Sequence, residues 1–108
     1  MANTDETKYL PLTESTYYIM AALTSPLHGY GVMQKVEEMS AGTVKIGPGT
    51  LYGVFSTLEK EGLIDKAGEE ERRKYYVLSS KGKRVLSSQI HRLEIMTRMG
   101  ISILDQIK

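Results

Sequence analysis

The side chains suited to covalent or metal chemistry are few. The 108-residue sequence has no Cys and two His, His28 and His91, which stand 63 residues apart. Without Cys there is no thiol nucleophile, no thiolate zinc site and no disulfide frame. Neither His sits in a metal-ligand spacing such as H-E-x-x-H. Gly47-Pro48-Gly49-Thr50 lacks the Lys and the spacing of a phosphate-binding P-loop. No Ser–His–Asp order and no paired carboxylates mark a catalytic pocket. The sequence therefore reads as a non-enzyme with no metal and no cofactor. What remains is recognition chemistry. Thr50, Tyr52, Gly53, Ser56 and Thr57 form one hydrogen-bonding run, and Arg72-Arg73-Lys74 form a cationic one.

Net charge at first argues against a nucleic-acid partner. With 14 basic and 13 acidic side chains the chain carries +1, whereas a pI above ~9 is the usual footprint of a nucleic-acid binder. The distribution reverses that impression. Residues 1–44 hold 2 basic and 5 acidic side chains, and residues 45–92 hold 10 and 6. Lys45, Arg72, Arg73, Lys74, Lys81, Lys83 and Arg84 lie in the second stretch and are candidates for phosphate contacts. Glu69-Glu70-Glu71 opposes this, since carboxylates at the same place repel phosphate unless they face away.

The elements that must position these groups follow from periodicity. Residues 1–10 are polar apart from Tyr9-Leu10, show no period, and read as a flexible N-terminus. Thr13 is a good N-cap for a first helix, and Ser25-Pro26 stops it. A second helix starts near His28 and runs to about Met39, with Val32, Met33 and Val36 as its stripe. His28 reads as a structural residue that caps or packs there, with a pH sensor as the other reading. Thr43–Ile46 reads as a very short strand or an extended connector. Pro48 opens a third helix, and Gly62 closes it. Its inward stripe is Leu51, Phe55 and Leu58, which leaves Thr50, Tyr52, Gly53 and Ser56 free. Gly49 and Gly53 cost helix stability, which close approach to a groove would explain. Two β-prone runs, 63–67 and 74–78, flank a charged turn and predict a hairpin.

Ser79 or Ser80 caps a last helix that extends to about Ile107. Leu86, Ile90, Leu93, Met96, Met99, Ile103 and Ile107 advance 21 residues in six steps, the 3.5 period of a coiled coil. Such a helix is roughly 40 Å long. A domain of ~100 residues has a radius of gyration of only ~13 Å, so the helix should project. The seven positions are expected to form a dimer interface. Folding back onto its own domain is the alternative. Met96 and Met99 read as dimer core, with an effector-binding role as a second reading.

The predicted fold class is mainly α with a small β-hairpin, a winged helix-turn-helix followed by a long C-terminal dimerisation helix. The division is 1–10 flexible, 11–79 DNA-binding domain, 80–108 dimerisation helix. The longest apolar run, Tyr17–Leu23, has seven residues against the ~20 of a membrane span. No signal-peptide core is present, so a cytoplasmic location without a membrane partner is expected.

Several segments resemble the PadR family of transcriptional regulators. Pro26-Leu27-His28-Gly29-Tyr30 resembles the family's P-x-H-G-Y turn. Gly49–Ile64 resembles its G-T-L-Y-x-x-[LF]-x-x-L-E-x-x-G-L-[IV] recognition-helix signature. Arg72–Ser79 resembles its R-x-K-Y-Y-x-L-[ST] wing strand. The resemblance covers residues 11–86 in order. It departs at the wing tip, where Glu69-Glu70-Glu71 runs directly into Arg72. The resemblance implies a homodimeric repressor that binds a palindromic double-stranded DNA operator. It also implies release by a small aromatic or hydrophobic effector. Expected DNA-binding residues are Lys45, Gly49, Thr50, Tyr52, Gly53, Ser56, Arg72, Arg73 and Lys74. The competing reading is a winged-helix protein–protein interaction module that does not bind DNA, supported by the acidic wing tip and near-neutral charge.

Overall fold

A computed structural model describes residues 3–108, with side chains from Glu6 onward. The chain runs through a 3-10 segment (Asn3–Tyr9), α1 (Glu14–Ala22), α2 (Gly29–Met39), α3 (Pro48–Lys60), β1 (Ile64–Glu70), β2 (Arg73–Leu78) and α4 (Ser80–Ile107). It is a mainly helical winged helix-turn-helix, as the sequence predicts. Among the described residues, no helix is long and apolar enough to cross a membrane.

The helices begin where side chains satisfy their free N–H groups. Thr13 Oγ1 accepts from the Thr16 N–H at 3.1 Å. Ser79 Oγ accepts from the Gly82 N–H at 3.0 Å and donates to the Gly62 carbonyl at 2.6 Å. Pro48 occupies the first turn of α3. Gly62, at φ 74°, turns the chain out of α3, and Leu63 N–H then bonds the Leu58 carbonyl at 2.8 Å. That left-handed position favours glycine because it has no Cβ.

The core joins Ile19, Met20 and Leu23 of the first helical unit to Val32 and Val36, to Leu51, Phe55 and Leu58, and to Ile64, Tyr76 and Leu78. The stripe expected on α3 is the stripe that is buried. Thr43–Ile46 forms no strand. Val44 and Ile46 are buried as an extended connector, and Ser40 Oγ holds both the N–H and the carbonyl of Val44. The hairpin instead gains its third partner from the loop before α2. Leu27 and Tyr76 exchange backbone hydrogen bonds of 3.1 and 2.9 Å, and Leu78 N–H bonds the Leu23 carbonyl at 2.9 Å.

Within the stretch expected to be flexible, Glu6 and Tyr9 make tertiary contacts; Met1 and Ala2 lie outside the described residues. Glu6 receives two-pronged hydrogen bonds from Arg84 at 2.7–3.1 Å. Tyr9 OH donates to Glu61 Oε1 at 2.9 Å, and the Lys81 ammonium sits 5.0 Å from the Tyr9 ring. These tertiary contacts, invisible to local periodicity, tie the segment to α4 and the end of α3. The Arg84 hydrogen bond holds the Glu6 carboxyl below its usual range.

The first third of α4 belongs to the core. Gly82, Val85, Leu86 and Gln89 are buried, and Gln89 Oε1 accepts from the Leu12 N–H at 3.0 Å. Leu86, expected at a dimer interface, is therefore inside the core of its own chain and only 6% exposed. Beyond Gln89 every side chain of α4 but the half-buried Leu93 is exposed, and the helix projects from the domain to give the molecule extents of 54 × 39 × 20 Å. Gly82 is needed at the departure point, since a Cβ there would collide with the Leu63 carbonyl oxygen. Gly82→Ala should lower stability by about 1–3 kcal/mol in urea unfolding, the usual cost of overpacking.

Candidate nucleic-acid interface

Three elements converge on one cleft of about 340 Å³. The start of α2 supplies His28, Gly29 and Tyr30, α3 supplies Tyr52, and the wing supplies Arg72, Arg73, Lys74 and Tyr76. Tyr52 stands 55% exposed on α3, one residue after the buried Leu51. Its ring meets Phe55 edge-on at 5.8 Å, and Phe55 in turn packs on Tyr76 at 4.8 Å. The phenol lies directly over Gly29, where any Cβ would strike it. Gly29 thus lets α2 and α3 approach closely enough to set the direction of Tyr52. Burial, then the nearby Glu59 and Tyr52, raises the Tyr76 phenol above its ordinary value, so it stays a neutral hydroxyl.

The wing's charge is settled by its register. Strand pairing sets Glu69 opposite Lys74 and Glu70 opposite Arg73. Directly opposite residues share one face of the sheet. Two of the three acidic residues therefore share a face with a basic neighbour, without closing to ion-pair distance. A bulge between Lys66 and Gly68 shifts the pairing by one, which a linear reading of the two runs does not foresee. The tip is a tight two-residue turn in which Glu71 and Arg72 both have positive φ, 51° and 69°. Hairpin turns of this kind favour Asn-Gly. Here two L-residues with long charged side chains accept the cost, and Arg72 projects at the apex. Among the described residues no carboxylate lies within ion-pair distance of Arg72, Arg73 or Lys74.

The expected DNA-binding residues divide. Tyr52, Arg72, Arg73 and Lys74 come together in the cleft. Gly49, Thr50, Gly53 and Ser56 lie on the exposed side of α3 without lining it. Lys45 stands apart, paired at 3.9 Å with Glu37 of α2. That pair is largely exposed and worth little to stability. His28, Gly29 and Tyr30 are cleft residues absent from the expected set. Tyr30 was legible as an outward position on α2. His28 was not, because its cap role hides the fact that β2 passes beside it.

A second groove, of about 330 Å³, lies between α1 and α4 and is lined by Tyr17, Tyr18, Leu93 and Met96 among others. Met99, paired with Met96 in the sequence reading as an effector site, does not line it. Among the described residues no group of His, Asp or Glu could hold a metal.

A family model for the transcriptional regulator PadR-like family matches residues 19–88. A transcriptional regulator from Clostridium thermocellum superposes with a TM-score of 0.68 at 26% identity, covering 86% of this chain and 88% of that one. A PadR-like transcription factor from Bacteroides fragilis gives 0.68 at 26% identity, covering 82% and 88%. An uncharacterised 37.1 kDa protein of a transposon in Streptomyces fradiae is 32% identical over 73 residues, 68% of this chain and 21% of that protein. The chain spans less than two thirds of the curated relatives it matches.

The wing tip makes a test of its own. Arg72→Gly should leave the fold as stable or up to about 1 kcal/mol more stable in urea melts, because glycine accepts positive φ. Arg72→Val should lose about 1–2 kcal/mol, because a β-branched side chain does not.

Proposed function

The chain belongs to the PadR-like family of transcriptional regulators, not to a family of enzymes, and from that premise we propose that it is a homodimeric, DNA-binding repressor. The observation that carries this reading is the exposed Tyr52 on α3 beside an Arg72–Lys74 wing segment that no carboxylate pairs. Gly49, Thr50, Tyr52, Gly53 and Ser56 would face the major groove, where small and hydrogen-bonding side chains read base edges. Arg72, Arg73 and Lys74 would hold phosphates. The wing register, which sets a basic residue opposite Glu69 and Glu70, supports the DNA-binding reading over a protein-binding module.

Dimerisation rests on the outer part of α4. Gly82, Val85 and Gln89 face the protomer's own core, and the same helix face continues as Leu93, Met96, Gly100, Ile103 and Ile107. Met96 is 65% exposed and Ile107 is 71% exposed. Ile95, Met99, Ile101 and Leu104 are exposed as well, an apolar surface of the kind that marks an interface. A Cβ at Gly100 would meet no other part of the described chain within 4 Å, which leaves room for a second helix to cross closely. Ile90, Leu93, Met96, Met99, Ile103 and Ile107 would pack against the second copy, with residues 90–108 as the dimerisation arm. Two recognition helices would then meet half-sites of a palindrome ~34 Å apart. The α1–α4 groove, at the small end of ligand-pocket volumes, suits a compact aromatic or hydrophobic effector beside Met96.

Ile103→Glu should convert a dimer into a monomer in light scattering coupled to size exclusion. A variant that remains dimeric would remove α4 from the interface. Tyr52→Ala should weaken binding to a palindromic operator roughly 10- to 100-fold, the discrimination of one good base contact. Absence of any salt-sensitive duplex binding by the unaltered protein would favour the protein-binding module instead.

A further inference from the structure

We propose that His28 and Arg73 form a single seat for one backbone phosphodiester of duplex DNA, so that His28 is a DNA contact as well as a helix cap. The inference rests on the DNA-binding reading above and adds a residue and a geometry to it. It begins with hydrogen-bond arithmetic at the imidazole. His28 Nδ1 accepts from the Gly31 N–H at 3.3 Å, which caps α2. An acceptor nitrogen carries no proton, so in the neutral ring the proton resides on Nε2. Nε2 faces the guanidinium of Arg73, with Nη1 at 3.3 Å. A guanidinium is a donor only. Two donors therefore point into the same space with no acceptor between them.

The alternative tautomer removes this conflict only by breaking the cap. With the proton on Nδ1, Nε2 could accept from Arg73, but the Gly31 N–H would lose its partner. The two hydrogen bonds drawn on this ring cannot both persist in one neutral state. An external acceptor with several lone pairs resolves the conflict, since it takes Nε2–H and the guanidinium together. Arg73 is poised for this, because no described carboxylate lies within ion-pair distance of it.

Position selects the acceptor. The ring is held edge-on by Tyr75 at 5.3 Å and 89°, and the pair borders the cleft that Tyr52 and Lys74 also line. An anion there touches the helix-turn-helix and the wing at once. A phosphodiester of a duplex lying across α3 and the wing meets this requirement, and a carboxylate ligand would leave Lys74 and Arg72 without a role. The seat would also fix the wing's angle against α2 when DNA is bound.

The test uses the full-length protein and a 30-bp duplex of arbitrary sequence, since a phosphate contact is independent of sequence. His28→Asn keeps a good N-cap side chain but removes the distal donor. Arg73→Gln keeps a polar side chain and removes the charge. Each variant should bind the duplex roughly tenfold more weakly, as expected for a hydrogen bond to a charged group. The double variant should lose distinctly less than the product of the two, because both act on one phosphate. Arg73→Gln should reduce the slope of log K against log salt by ~0.9, and His28→Asn should leave it unchanged. In the free protein, 15N NMR should show the His28 proton on Nε2, with His28→Asn supplying the assignment against His91. Adding duplex should shift that resonance, and inorganic phosphate at ~10 mM should not, because a contact worth roughly tenfold is too weak to hold a free ion at that concentration without the rest of the duplex interface.

Unchanged duplex binding by His28→Asn, fully multiplicative losses, or the proton on Nδ1 would each overturn the seat and leave the DNA-binding reading intact. An equal response to inorganic phosphate would overturn the phosphodiester assignment in favour of a free-anion site. No salt-sensitive duplex binding by the unaltered protein would overturn the DNA-binding reading, and the seat with it.

Discussion

The wing depends on a pair of backbone hydrogen bonds between Leu27 and Tyr76. A two-stranded hairpin is marginal on its own, and among the described residues β1 and β2 have no other strand beside them. Pro26 forces the preceding backbone toward extended geometry, so the chain reaches Leu27 already straight enough to pair with β2. Leu78 is held in the same way by Leu23. The loop between α1 and α2 therefore acts as a short third strand. This places the outer half of β2 next to the start of α2. Arg73 and Tyr75 come against His28 for that reason, and the cleft exists because Tyr76 is anchored at its base.

The aromatic contacts carry the constraint into α3. Phe55 packs on Tyr76, and Tyr52 packs on Phe55. The α3 helix is thus referenced to the wing through the buried rings of Phe55 and Tyr76 rather than through flexible polar groups. Gly29 completes the arrangement by admitting the Tyr52 phenol over α2. Together these contacts set Tyr52 beside the Arg72–Lys74 segment of the wing.

A different constraint governs α4. One helical face does two jobs along its length. Its beginning closes the domain's core through Gly82, Val85 and Gln89, and its end presents Met96, Ile103 and Ile107 to the surface. The helix is too long for one domain to cover, because a 28-residue α-helix extends about 42 Å. The same periodicity therefore encodes both a core and an unfinished surface, and the boundary between them lies near Gln89 rather than at the first residue of the helix.

Much of the fold was legible from local sequence. The stripe Leu51, Phe55, Leu58 placed α3, because a buried helix face repeats every three to four residues whatever it packs against. Thr13, Pro48, Gly62 and Ser79 marked ends of helices, because capping and positive-φ chemistry act over a few residues. The exposed run around Tyr52 and the wing's cations followed from the same patterns. Other features depended on residues distant in sequence. Glu6 and Tyr9 ordered a segment with no period of its own, by reaching Arg84 and Glu61. Leu86 matched the dimer repeat yet fell into the core, since a repeat does not say which neighbour covers it. The bulge beside Gly68 and the register of Glu69 against Lys74 decided which charges of the wing share a face, because a hairpin's register is a relation between two strands. His28 acquired its second partner only when β2 crossed α2. Short-range chemistry determined the elements and their faces; the packing between elements decided which charges meet, which apolar groups are already satisfied, and which donors are left facing one another.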